Sequence, residues 1–291
     1  MDASTRNEPE RVHVLVSYAY WRDDRSRAVL DSLPPEWNVM LDSGAFTNFT
    51  SGQERVTLDG FAAFCHEHEG RFWRIINLDK IGDPEQSERN LRELHRRGVP
   101  VIPVFQRGDE VEALERMREM ATPVCIGGIS QNLGMKEEQQ YVKSVMRASR
   151  IMNVPVHLLG GGRRELVRYK PYSADNSTWS ATNRFGRLDA WHKGRNAIFT
   201  KQPIQRGRPC YIQPDLKRGL ILKSYDLTWE DLYRAKEWKP GGMIAFANAR
   251  SWMRLARDLA RADVRYIFAT SPGNIDVLKS AWGAENERRS K

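Results

Sequence analysis

Short apolar runs recur along the chain at residues 12–18, 37–41, 72–78, 99–105, 123–126, 154–159 and 171–174, each about the length of a buried strand. Between them, residues 22–33, 58–69, 85–97, 110–120, 136–152 and 163–168 mix polar with apolar positions in helical fashion. This alternation predicts an α/β fold of parallel strands joined by crossover helices. Seven strands precede residue 175, and an eighth would close a (β/α)8 TIM-like barrel. Residues 243–247 and 265–269 both qualify as the eighth strand, each followed by a helical pattern, and periodicity does not separate them.

The rhythm breaks over residues 176–222, which are rich in Gly, Pro, Arg and aromatic residues and carry no clean stripe of either period. They read as a basic, aromatic-rich insertion after strand 7, within one elaborated barrel domain spanning residues 1–291. A chain of 291 residues holds such a barrel, typically about 250 residues, with room for insertions. Residues 1–10 and 284–291 read as tails.

Charge sharpens the reading of the insertion. The net +9 is uneven: residues 1–150 carry 20 Lys and Arg against 24 Asp and Glu, whereas residues 151–291 carry 26 against 13. Between Arg184 and Lys223, ten basic residues face only Asp189 and Asp215, with Phe185, Trp191, Phe199 and Tyr211 interleaved. Cations that neutralise phosphates beside rings that stack on bases suit a nucleic-acid surface. Arg184, Arg187, Trp191, Lys193, Arg195, Lys201, Arg206 and Arg208 are the candidate contacts, and a solvated basic loop is the competing reading.

No apolar stretch approaches the roughly 20 residues of a membrane span, and MDASTRNEPE lacks the apolar core of a secretory signal. A soluble cytoplasmic protein without a membrane partner is expected. Cys65, Cys125 and Cys210 are too few and too scattered for a disulfide framework or a structural zinc cluster. His66 and His68 have no partner spacing that suggests a metal, and His13 and His157 read as structural.

The chemistry gathers where apolar runs end, which is where a barrel builds its active site. Asp42-Ser43-Gly44 follows the second run, Asp79 the third, Gln106 the fourth and Gly127-Gly128 the fifth; Gly160-Gly161-Gly162 closes the sixth, and Asp175 follows the seventh. Taken singly, each Asp also reads as a turn or cap residue and each Gly pair as a simple turn.

As an ordered set these residues resemble the tRNA-guanine transglycosylase superfamily, (β/α) barrels that exchange guanine in a polynucleotide for a 7-deazaguanine. Asp42-Ser43-Gly44-Ala45-Phe46 is similar to the family's Asp-Ser-Gly-Gly-Phe motif, with Ala45 in place of a glycine. Asp79, Gln106 and Gly127-Gly128 match its base-recognition elements, and Asp175 its nucleophile. The resemblance covers roughly residues 12–180. It implies Asp175 and Asp42 as catalytic residues, Ser43, Gly44, Asp79, Gln106, Gly127 and Gly128 as base-binding residues, and no cofactor beyond a 7-deazaguanine co-substrate such as preQ0.

The tRNA enzymes carry a Cys-x-Cys-x-x-Cys and His zinc cluster after the nucleophile, whereas this chain offers only Cys210 there. The DNA-modifying branch, the DpdA-like transglycosylases of bacteria and phages, is the better match, and the compact length suits the phage form, which would work in the host cytoplasm. Double-stranded or locally unpaired DNA is then the expected partner, with accessory proteins left open. Three alternatives stand beside it: the same exchange on tRNA, a non-catalytic nucleic-acid-binding barrel, and an unrelated barrel enzyme using Gly160-Gly161-Gly162 for a phosphate.

Overall fold

The computed structural model describes residues 11–53, 55–129, 135–201, 204–205, 208–209 and 215–288. The chain divides into two compact units, Met1–Asn176 with Ala262–Pro272, and Ser177–Arg261 with Gly273–Lys291.

The first unit is a (β/α)8 TIM-like barrel. Its strands are β1 (His13–Ser17), β2 (Asn38–Asp42), β3 (Phe72–Ile76), β4 (Val101–Ile102), β5 (Val104–Phe105), β6 (Val124–Ile126), β7 (Val156–Leu158) and β8 (Ser173–Asn176). The second unit contributes β9 (Arg187–His192), β10 (Arg195–Thr200) and the short pair β11 (Ile204–Gln205) and β12 (Arg208–Pro209), after which β13 (Arg265–Ala269) returns to the barrel. All barrel pairings are parallel, in the order β4-β3-β2-β1-β13-β8-β7-β6-β5.

The two ends of that order are halves of one run. Pro103 has no N–H to give the ladder, so the fourth strand is split into β4, paired with β3, and β5, paired with β6. Counting them as one strand gives eight. The Pro103 carbonyl still serves the sheet, accepting the Cys125 N–H at 2.9 Å. Leu15, Met40, Ile76, Ile102, Val104, Cys125 and Ile267 pack together inside the barrel. Alternate positions such as Val14, Val16, Val39, Leu41 and Val101 are also buried, which is why these strands read as continuous apolar runs.

The eighth barrel strand is β13, residues Arg265–Ala269, and its competitor is helical. Ile244, Ala247, Ser251, Leu255 and Leu259 are buried along the helix Met243–Ala260, a spacing near 3.6 that an extended strand cannot keep on one face. The excursion from the barrel, read from sequence as residues 176–222, therefore continues to Arg261. Residues 284–287, expected in a tail, belong to the helix Ile275–Glu287.

In the second unit, β9 pairs antiparallel with β10 across the Lys193-Gly194 turn. Its core gathers Leu188, Ala190, Phe199, Leu222, Tyr225, Leu232, Trp238, Ile244 and Ala247. The other edge of β9 meets side chains of the long helix instead of a third strand. The Asp189 N–H donates to Asn248 Oδ1 at 3.0 Å, the Trp191 N–H to Ser251 Oγ at 2.7 Å, and Asn248 Nδ2 to the Arg187 carbonyl at 3.2 Å. An exposed sheet edge is thereby closed.

Glu285 is buried between two guanidinium groups, at 2.7 Å from Arg250 Nε and 2.9 Å from Arg254 Nη2, and Arg250 also meets Asp226 at 2.6 Å. Burial alone would raise its pKa, but the hydrogen bonds and charges of Arg254 and Arg250 outweigh burial and hold it below the usual 4.5. Removing one partner of such a group leaves the others buried without compensation. Glu285→Gln should destabilise the second unit by about 3 kcal/mol, measured as a lower urea midpoint at neutral pH. The penalty should shrink as pH falls through the lowered pKa, because the wild-type carboxylate then loses its own charge.

Candidate active site

The C-terminal ends of the barrel strands bring Asp42, Asp79, Gln106, Gly127, Gly128 and Asp175 to one mouth. Asp42 is the last residue of β2 and lies in register with Ser17, the last of β1. The Ser17 hydroxyl bonds its carboxylate, and the Gly44 N–H donates to its Oδ2 at 3.1 Å. The turn that supplies this N–H needs glycine: Gly44 has φ +86°, and a Cβ there would sit 2.8 Å from Ala19 Cβ. Ser43 is fully buried, and its Oγ donates to the Asn77 carbonyl at 2.9 Å, tying the loop after β2 to the one after β3.

Asp79 lies three residues past β3, on a loop fixed by the Asn77 amide on the Ser87 carbonyl at 2.9 Å and the Asn90 amide on the Leu78 carbonyl at 2.7 Å. Its Oδ2 accepts from the Gln106 amide nitrogen. Gln106, 6% exposed, is itself anchored by its backbone N–H on Asp109 Oδ2 at 2.7 Å. A Cβ on Gly127 would come 3.2 Å from Gln106 Oε1, so the glycine leaves room for that amide. The Gly127 N–H donates to the Phe105 carbonyl at 2.8 Å and its carbonyl accepts from the Tyr141 hydroxyl at 2.9 Å. Its amide is thus committed to the sheet and does not wait for a base. Gly128 packs against the Arg107 backbone and Cβ.

Asp175 sits within β8, its third residue, because that strand begins two residues later than the apolar pattern suggests. It is 7% exposed. Its Oδ1 accepts the Gly160 N–H at 3.2 Å and lies 3.2 Å from His157 Nε2. His157 is buried, as its apolar surroundings predict, but its place against Asp175 was not legible. The signal was register: His157 pairs with Ser173 across β7 and β8, so its ring lies on the same face as Ser173 and Asp175.

The carboxylates feel one another. Burial raises the Asp42 pKa above 3.8, opposed by the Ser17 hydrogen bond and reinforced by the Asp175 charge. Asp79 is pushed up to about 7, first by burial and then by Asp42. Cys125, inside the barrel, is raised by burial and by all three carboxylates. Such a cluster is what acid and base chemistry at one site requires.

The basic candidates belong to the second unit. Arg184, Lys193, Arg195 and Lys201 are exposed, and Arg187 is exposed while pairing with Asp189 at 2.8 Å. Arg206 and Tyr211 lie outside the described residues, as does the Arg208 side chain. Trp191 is not presented for stacking: it is 8% exposed and its indole N–H donates to Asp258 Oδ2 at 2.7 Å. Trp179 and Phe199 are buried as well. Phe185 is the exception, 84% exposed beside Arg184. Among the described residues, no cluster of His, Cys, Asp or Glu is arranged to hold a metal ion, and no helix is long and apolar enough to cross a membrane.

No family model matches the chain, and no curated protein matches it. Among solved structures, a match is the "PaMucR Phosphodiesterase, c-di-GMP complex", 18% identical over 50% of this chain, with a TM-score of 0.31. The chain spans about 61% of that protein's length.

A carboxyl whose pKa is raised on folding binds its proton more tightly in the native state, so the fold loses stability as pH rises from 3.8 to about 7. Asp79→Asn keeps an acceptor for Gln106 and removes that loss. The variant should be more stable than wild type at pH 8, on the order of 2 kcal/mol after solvent screening. The gap should close by about pH 4, as read by thermal melting at each pH.

Proposed function

We propose that the protein is a DNA-guanine transglycosylase, exchanging guanine in DNA for a 7-deazaguanine base through a covalent Asp-deoxyribose intermediate. The observation that carries this reading is the meeting of Asp42 and Asp175 at one barrel mouth, electrostatically coupled and held by different donors. Two carboxylates with separate environments suit separate roles, nucleophile and proton shuttle.

In this scheme Asp175 attacks C1′ of the target nucleotide, and the bonding pair leaves on the base nitrogen. Asp42, pushed toward its acid form, protonates the departing guanine and then takes the proton of the incoming 7-deazaguanine. Asp79 and the Gln106 oxygen accept from the N–H groups of a guanine-type edge, and the hydrogen bond from the Gln106 amide to Asp79 holds both acceptors in place. Their burial favours a base removed from the stack, which costs a few kcal/mol to extrude.

DNA is favoured over tRNA by the lack of a cysteine cluster after Asp175 and by the density of cations from Arg184 to Lys223 in its place. Exposed Arg184, Arg187, Lys193, Arg195 and Lys201 supply phosphate contacts, and Phe185 supplies the stacking ring that Trp191 does not.

Nucleoside mass spectrometry after incubation of duplex DNA and, separately, tRNA with the protein and a 7-deazaguanine such as preQ0 tests the reaction. Modified deoxynucleoside should form with wild type and disappear with Asp175→Ala; modification confined to RNA selects the tRNA enzyme, and none in either rejects catalysis by this chain alone. Binding separates charge from stacking. Arg184→Ala should flatten the dependence of log affinity on log salt by about one ion. Phe185→Ala should cost roughly tenfold in affinity with the salt slope unchanged, both read by fluorescence anisotropy.

A further inference from the structure

Asp175 is held from one side. Both of its contacts fall on Oδ1, the Gly160 N–H at 3.2 Å and His157 Nε2 at 3.2 Å, while Oδ2 accepts no hydrogen bond among the described residues. His157 has no solvent exposure, and its Nδ1 lies 2.8 Å from Ser173 Oγ. Resting on the transglycosylase reading, we propose that His157 is a positioning residue that locks Asp175 so that Oδ2 is the atom that attacks the sugar.

The sheet itself sets this arrangement. Ser173 and Asp175 are two positions apart on β8 and so share a face, and His157 lies opposite Ser173 on β7. One imidazole therefore spans both side chains. Nδ1 meets the Ser173 hydroxyl, and Nε2, facing a carboxylate oxygen that can only accept, donates to Oδ1 beside the N–H of Gly160.

Two donors on one oxygen fix the plane of the carboxylate and leave the lone pairs of the other toward the mouth. In the first half-reaction the Oδ2–C1′ bond forms as the bond from C1′ to the base nitrogen breaks. The electron pair leaves with the base, which takes its proton from Asp42. The second half-reaction reverses these steps with the new base. His157 gains and loses no proton in either; it holds geometry, and a displacement of about 1 Å at a reacting atom is worth on the order of 100-fold in rate.

Two amide substitutions separate the two ring nitrogens. The side-chain nitrogen of Gln reaches the place of Nε2, and that of Asn reaches only the place of Nδ1. His157→Gln should retain exchange within about tenfold of wild type, whereas His157→Asn and His157→Ala should lose roughly 100-fold in kcat. KM for the base and Kd for DNA should stay within about twofold. Melting temperatures of the Gln and Asn variants should agree, which a loss of packing alone would not combine with a split in kcat.

Ser173→Ala serves where a His157 variant fails to fold. It frees the ring to turn and should lower kcat about tenfold with KM unchanged. Equal activity of the Gln and Asn variants, or full activity of Ser173→Ala, overturns the inference while leaving the transglycosylase reading intact. A wild-type protein that exchanges no base in DNA or tRNA removes that reading, and the role of His157 with it.

Discussion

Three carboxylates from three strand ends share the mouth of this barrel, and their mutual repulsion is the constraint around which the neighbouring residues are arranged. Asp42 has the Ser17 hydroxyl and the Gly44 N–H, Asp79 has the Gln106 amide, and Asp175 has His157 and the Gly160 N–H. Each donor offsets part of the cost of placing a carboxylate where water is scarce, and Asp42 and Asp79 are nevertheless driven toward their protonated forms. A fold selected for stability alone would not concentrate acids in this way. The arrangement costs stability where the carboxylates are ionised.

Much of the barrel was legible because buried parallel strands advertise themselves as apolar runs at regular distance. The strand ends, and so Asp42, Asp79 and Gln106, followed from that pattern. What it could not convey was register. Asp175 lies inside β8 because Ser173 pairs with His157 and Arg265, a fact about neighbouring strands that no single run contains. The same register sets His157, buried as expected, against Asp175, and the loop geometry sets the Ser43 hydroxyl on the Asn77 carbonyl. Residues 243–247 were ambiguous because five apolar residues suit either period; only the continuation through Ser251, Leu255 and Leu259 shows the helix.

The second unit shows how composition misleads about individual residues while describing the whole. Its aromatics suggested stacking, yet Phe199, Tyr225 and Trp238 are packed into its core. Trp191 is turned inward to Asp258. A buried Arg needs a carboxylate, as Arg250 has in Glu285, while Arg184, Lys193, Arg195 and Lys201 stay exposed. The surface is left basic by exclusion as much as by design.

The return of β13 to its place between β1 and β8 has a consequence for biogenesis. β1 flanks β13 on one side and β8 flanks it on the other, so both present open edges until residues 265–269 emerge from the ribosome. The helix Ile275–Glu287, which brings Glu285 to its arginines, comes later still. Until β13 is in place β1 and β8 lack a neighbour there, and the unpaired edges of a half-built parallel sheet are adhesive.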